Sequence, residues 1–302
     1  MNIKIGDIVA RKSHGFDLLF RVIDISHNEH NEPIVILYGE DVRLIADAPI
    51  HDLKIVDGRE QMHRKQRAES KINRSLQLLE QDYQLIREKN EYEATNGYST
   101  DQNFFQVPGK VLHLDGDPLY LKKCLELYER VGVPVYGVHA NEKEMPNKVK
   151  SLMEKYRPDI LVITGHDAYS KSKGKVTDLQ AYRHSWHFVQ AVKEARKIQP
   201  NLDQLVIFAG ACQSHFESLI QAGANFASSP SRVNIHALDP VYIVGRICYT
   251  PFMERVNVWD ILRNTLTGDK GLGGIETRGV LRTGMPVHTY VDEEDSNSES
   301  SS

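Results

Sequence analysis

Two residues that together make a nucleophile and a general base stand in matching places in this sequence. His166 follows Leu161-Val162-Ile163-Thr164 by way of Gly165. Cys212 follows Leu205-Val206-Ile207-Phe208 by way of Ala209-Gly210-Ala211. A short apolar block of this kind reads as a buried strand, so both side chains are expected at the carboxyl edge of a sheet. A thiol beside an imidazole can be activated to attack a carbonyl. The helix expected after Cys212 would aim its N-terminus at the same place. Its dipole would favour a thiolate, and free amides at Gly165 and Cys212 would hold an oxyanion. The small residues at 209–211 let a substrate backbone come close.

Either residue alone carries little. A cysteine at a strand end is ordinarily a small core residue, and a single histidine is ordinarily satisfied locally; the matched placement is what makes the pair a candidate site. Cys124 (LKKCLEL) and Cys248 (GRICYT) sit in apolar patterns and read as core. Three cysteines in 302 residues exclude a disulfide framework, and the lack of a CxxC pair argues against structural zinc. His184 and His187 have no carboxylate or cysteine cluster nearby in sequence, so they read as a helix face. No metal or cofactor is expected.

The elements that must position the pair follow from composition and period. Hydrophobic residues make up 40% and charged residues 26%, a globular balance, and the length suggests about two domains. There is no apolar leader and no membrane-length apolar run, which suggests a protein of a reducing, cytoplasmic compartment without a membrane span. A net charge of −4 does not suggest a dedicated nucleic-acid binder, and no nucleic-acid partner is expected. Residues 1–58 hold five short strands rich in Val, Ile and Leu, the pattern of a small SH3-like β-barrel. Residues 59–108 read as a basic helix and linker: Leu76, Leu79, Tyr83 and Ile86 keep helical spacing, and 59–75 carries six Lys or Arg. Residues 109–290 alternate. Strands are expected at 111–117, 133–140, 159–167 and 204–212; helices at 118–130, 145–156, 177–197 and from Cys212 to about 222. This is an α/β pattern, a mostly parallel sheet with helices on both faces, whose function sits at the carboxyl ends of the strands. Residues 225–290 are less regular, with an apolar stretch at 241–249, a helix near 258–266 and a Gly-rich turn at 268–274. The acidic, Ser-rich residues 291–302 read as disordered.

The two blocks, each an apolar run leading into Gly165-His166 or Ala211-Cys212, resemble the paired motifs of the caspase–legumain–gingipain clan of cysteine proteases. The His–Cys separation of 46 residues is close to the roughly 50 of caspases. Asp167 stands where the clan has Gly, and Gly210 where it has Gln or Glu. Along the whole chain, the barrel-like start, the basic helix and the segments LHLDGDP, VITGHDAYS, FAGACQSHFE and ASSPSRVNIHALDP resemble the YabG family of sporulation-specific proteases of endospore-forming bacteria. The resemblance implies a caspase-like catalytic unit, with Cys212 as nucleophile and His166 as base. It also implies protein substrates among spore coat and cortex-associated proteins, self-cleavage, and action in the mother cell and at the spore coat.

In that clan the end of the first core strand lines the pocket for the residue before the cut bond. Here it carries Asp115 and Asp117. A carboxylate pair suits the guanidinium fork, so cleavage after Arg is expected, with Lys second. Asp239 is a reserve for this pocket, and Ser228 and Ser229 are expected to line the cleft. The bland reading of Asp115-Gly116-Asp117-Pro118 is a turn. Asp167 either orients His166 or serves a cap or turn. The basic stretch 59–75 offers Arg residues for self-cleavage, or is simply a solvated helix face. Two readings of another class remain: a receiver-like module and a coat scaffold. A receiver needs an acceptor Asp at the third strand end and a Lys two strands later; here His166 precedes Asp167 and that Lys is absent.

Overall fold

The computed structural model describes residues 3–27, 31–95 and 105–284. The five expected N-terminal strands are present: β1 (Ile8–Arg11), β2 (Phe20–His27), β3 (Pro33–Gly39), β4 (Ile45–Pro49) and β5 (Leu53–Ile55). They form one antiparallel sheet in the order β4-β3-β2-β1-β5. Alternation along the strands gathers Val9, Phe20, Val22, Val35, Leu37, Ala48 and Leu53 into one buried cluster.

The basic stretch opens α1 (Gly58–Thr95). Only a thin stripe of this helix is apolar. Leu76 and Leu79 are buried and dock it on the larger core; Arg59, Arg67 and Arg74 are exposed. Next comes β6 (Phe105–Val107), which was expected to be linker. It pairs antiparallel with β15 (Arg282–Gly284), so 105–107 belongs with the chain's far end.

The central sheet has six strands: β7 (Val111–Asp115), β8 (Val135–His139), β9 (Ile160–Thr164), β10 (Val206–Ala209), β11 (Phe226–Ser228) and β13 (Leu272–Gly274). Their order is β13-β11-β10-β9-β7-β8. All neighbours are parallel except β11 and β13. The connecting helices are α2 (Pro118–Arg130), α3 (Met145–Tyr156), α4 (Ser185–Ile198), α5 (Phe216–Gln221), α6 (Asp239–Tyr249) and α7 (Val258–Leu262). A short ribbon joins β12 (Arg255–Val256) to β14 (Thr277–Arg278).

The period of two sorts the strand residues between two cores. Val111, Ile160, Val162, Val206 and Phe208 meet residues of α2 and α6. Leu112, Leu114, Leu161, Ile163, Ile207 and Ala209 meet residues of α3, α4 and α5. Each Val, Leu, Ile or Phe among them contributes about 1.5–3 kcal/mol when fully buried. The ends of these strands are therefore a firm platform.

Two expectations need revision, and one open stretch gains its type. The helix expected at 177–197 begins only at Ser185, because residues 168–184 form turns tied down at Asp167. The apolar stretch 241–249, whose type the sequence leaves open, lies in α6, a helix buried almost all round. The Gly-rich 268–274 includes β13, not only a turn. The acidic tail lies outside the described residues. No helix among the described residues is long and apolar enough to cross a membrane.

Candidate active site

Register brings the two motif residues level. The last paired positions of β9 and β10 are Ile163 and Ala209. His166 and Cys212 each lie three residues beyond, at the carboxyl end of adjacent parallel strands.

His166 is held from three sides. Its backbone N–H donates to Glu142 Oε1 at 2.8 Å. Its ring meets Tyr38 edge-on, centroids 6.1 Å apart. Its Nε2 lies 2.8 Å from Asp117 Oδ2, which also accepts from the Tyr38 hydroxyl at 2.6 Å. Asp117 Oδ1 accepts from the backbone N–H of Leu119 and Tyr120 and so caps α2, with Pro118 at its first position. Burial alone would push the Asp117 carboxyl up. The hydrogen bonds from His166 and Tyr38 outweigh it and hold Asp117 below its usual value. With Nε2–H directed at this carboxylate, the neutral ring keeps its lone pair on Nδ1. That atom is buried and has no hydrogen-bond partner among the described residues, so Nδ1 is free to take a proton. Glu142 packs against Gly165 and Gly116, where a Cβ at either position would collide with its carboxylate.

Cys212 sits in a braced loop. Gly210 has φ +108°, and a Cβ there would strike Ser228 and Leu219. Ala211 N–H donates to Ser214 Oγ, and Ala211 O accepts from Ser228 Oγ. Ser214 Oγ donates to Asp167 Oδ2 at 2.9 Å. Asp167 also accepts from the backbone N–H of Ala168 and His184 and from Ser185 Oγ. It therefore ties the His166 loop to the Cys212 loop and to the start of α4. Of the two roles left open for Asp167, the structure shows this bracing one; the carboxylate on the imidazole is Asp117.

Cys212 is fully buried. Its Sγ accepts from the backbone N–H of Ile235 at 3.4 Å and faces the Ile235 carbonyl at 3.7 Å. Burial pushes the thiol up to about 11, and the Ile235 N–H and the Arg43 charge pull the other way. The expected help from the next helix is weak: α5 begins at Phe216 and has six residues. In this conformation Cys212 is a thiol. The N–H groups of Gly165 and Cys212 have no hydrogen-bond partner among the described residues.

The acidic positions separate. β7 ends at Asp115, so Asp117 turns to His166 and the two carboxylates do not form one pocket floor. Asp115 faces the Arg43 guanidinium, with Nη1 2.5 Å from its Oδ2 and a side-chain exposure of 0% on both residues. Arg43 comes from the connection between β3 and β4. Its Nη1 also reaches Thr164 Oγ1 at 2.5 Å, and its Nη2 reaches Cys124 Sγ at 3.3 Å and the Ala237 carbonyl at 3.1 Å. Burial would push the Asp115 carboxyl up, but Arg43 holds it well below the usual range. Asp239 lies elsewhere, accepting from His236 N–H, Leu266 N–H and Thr267 Oγ1, and burial pushes it up to about 6. Ser228 and Ser229 direct their hydroxyls to the carbonyls of Ala211 and Val233, so they brace loops.

Among the described residues, His113, Asp115 and Cys124 bring potential metal-ligating atoms within 4.8 Å of one another. The Arg43 guanidinium already contacts Asp115 and Cys124, and burial pushes the Cys124 thiol up to about 12. That chemistry fits an organic cation better than a metal. Tyr38, Arg43, Glu142 and Thr164 escaped the sequence reading. Tyr38, Arg43 and Glu142 lie in no motif and reach the site through folding alone; Thr164 lies in the block before His166, where its hydroxyl went unassigned.

A family model described as YabG peptidase U57 matches residues 4–286. The chain is similar to the sporulation-specific protease YabG of Bacillus subtilis (strain 168), with 66% identity over 286 residues. These cover 95% of this chain and 99% of that relative.

Proposed function

The chain belongs to the YabG peptidase family, and from that premise we propose that it is a cysteine endopeptidase that cuts after Arg. As a member of a peptidase family it is not read as a receiver module or a scaffold. The observation that carries the catalytic type is the equal placement of His166 and Cys212 beyond paired strands, with Nδ1 of His166 unpartnered. Cys212 Sγ attacks the substrate carbonyl carbon and its proton passes to His166 Nδ1. The amides of Gly165 and Cys212 hold the oxyanion. The imidazolium returns the proton to the leaving amine as the C–N bond breaks, and Asp117 steadies that charge. Water then cleaves the acyl-enzyme with His166 as base.

Asp115 is the pocket residue for the substrate Arg. Its burial and its grip on a guanidinium support this choice over Asp117 and Asp239. Spore coat and cortex-associated proteins are the proposed substrates, met in the mother cell and at the coat. Self-cleavage in 59–75 would require α1 to unwind there, since a cut peptide binds extended.

The test is digestion of an unfolded protein by wild type and Cys212→Ala at equal folded concentration. Cleavage should fall by at least about 10⁴-fold, and wild-type products should end at Arg. Undiminished cleavage by Cys212→Ala would overturn the catalytic assignment.

A further inference from the structure

We propose that residues 41–43 are an internal ligand of the substrate groove: Arg43 fills the pocket for the residue before the cut bond, and a peptide substrate binds by displacing it. This rests on reading Cys212 and His166 as a protease dyad.

Two features of the segment coincide. The Arg43 side chain enters the pocket of Asp115, Thr164, Cys124 and the Ala237 carbonyl. The preceding residues pair with the segment after β11: Val42 forms an antiparallel bridge with His236, and Ala237 N–H donates to the Asp41 carbonyl at 3.2 Å. An extended peptide adding to a strand edge makes this same combination, backbone pairing plus a side chain in a specificity pocket. A salt bridge between two sheets would account for the first feature only. It would also be a poor stabiliser, because a fully buried ion pair is often no better than apolar packing.

The segment explains a puzzle of the site. Cys212 lies at the sheet edge where a substrate must reach it, yet it is wholly buried, in one cluster with Val42 and Ile235. The cover is this loop. The chain then bends sharply: Leu44 N–H donates to the Val42 carbonyl at 2.8 Å. That turn carries the 43–44 bond away from the extended line of a cut peptide, so the loop is held, not cleaved. Asp41, Val42, Asn234 and His236 also border an open cleft of about 710 Å³ between the two sheets and α1. Room for the loop to withdraw exists beside it.

The experiment measures kcat/KM for an Arg-amide peptide with wild type, Arg43→Ala and Cys212→Ala. If the open state is 1–10% populated, removing the internal ligand raises kcat/KM by about 10- to 100-fold. A second measurement needs no folded variant at Arg43. Wild type is alkylated at Cys212 with an Arg chloromethyl ketone, and hydrogen exchange is followed over 40–45. The adduct should strip protection from that loop. Unchanged kcat/KM in folded Arg43→Ala, or a loop still protected in the alkylated protein, would overturn the internal ligand and leave the protease reading intact. No Cys212-dependent cleavage and no adduct in any protein would overturn that reading, and the internal ligand with it.

Discussion

Asp115 and Asp117 are two residues apart, both buried, and both held below the ordinary carboxylate range. Their partners differ. Asp115 ends a strand and meets a guanidinium in complete burial. Asp117 begins a helix and meets an imidazole at the mouth of the site. A single intervening glycine separates a carboxylate held on a guanidinium from one held on an imidazole. The difference teaches that an acidic motif is not one site merely because it is short. The end of β7 sends its two carboxylates to separate tasks.

The contrast can be broken by removing each acid in turn. Asp115→Ala should have the larger effect on Arg substrates. Truncating one side of a buried charge pair costs about 2–5 kcal/mol, or roughly 30- to 5,000-fold in kcat/KM, carried mostly by KM. Peptides cut after uncharged residues should not share that loss, and competition between the two substrate types measures it. Asp117→Asn should lower kcat by about 10²-fold and leave KM nearly unchanged. Asparagine caps a helix as well as aspartate, so the melting temperature should fall only by the part that the Asp117 charge contributes. A fall in Tm large enough to unfold the variant at the assay temperature would assign Asp117 to structure alone.

Acid unfolding sharpens the comparison with a third acid. Asp115 and Asp117 carry depressed folded values, so their stabilisation is complete above about pH 4 and is lost as pH falls below it. Asp239 has the opposite sign. Its folded value is raised to about 6, so its stabilisation is complete below about pH 4 and is lost as pH rises through 6. Asp239→Asn should flatten that decline, by an amount on the order of 3 kcal/mol, in denaturant unfolding at pH 4 and pH 8. The smallest effect belongs to Tyr38→Phe. It removes one hydrogen bond to Asp117 and should lower kcat by about three- to tenfold, read against an unchanged KM.

Much of the sheet was legible because the strands are apolar on both faces, so their uninterrupted runs mark both position and ending. His166 and Cys212 were legible for the same reason, as polar residues where such runs stop. The pocket was not. Arg43 lies far along the chain from Asp115 and Thr164, in a polar connection of another sheet, where an arginine ordinarily faces water. Its burial is created by docking, which leaves no local pattern. The start of α4 was misplaced because a tertiary tie from Asp167 determines it. The type of 241–249 stays open in sequence because a helix buried almost all round carries few of the polar residues that mark an exposed face. Asp167 was legible as a polar residue at a strand end but not in its role, since only its four partners reveal it as a brace.

The most direct measurement is covalent. The protein is treated with an Arg chloromethyl ketone, digested, and the adduct mapped by mass spectrometry. The account predicts one adduct, on Cys212, with Cys124 and Cys248 unmodified and proteolysis lost in step with labelling. Full loss of activity with Cys212 unmodified, or a Cys212 adduct that leaves proteolysis intact, would contradict it.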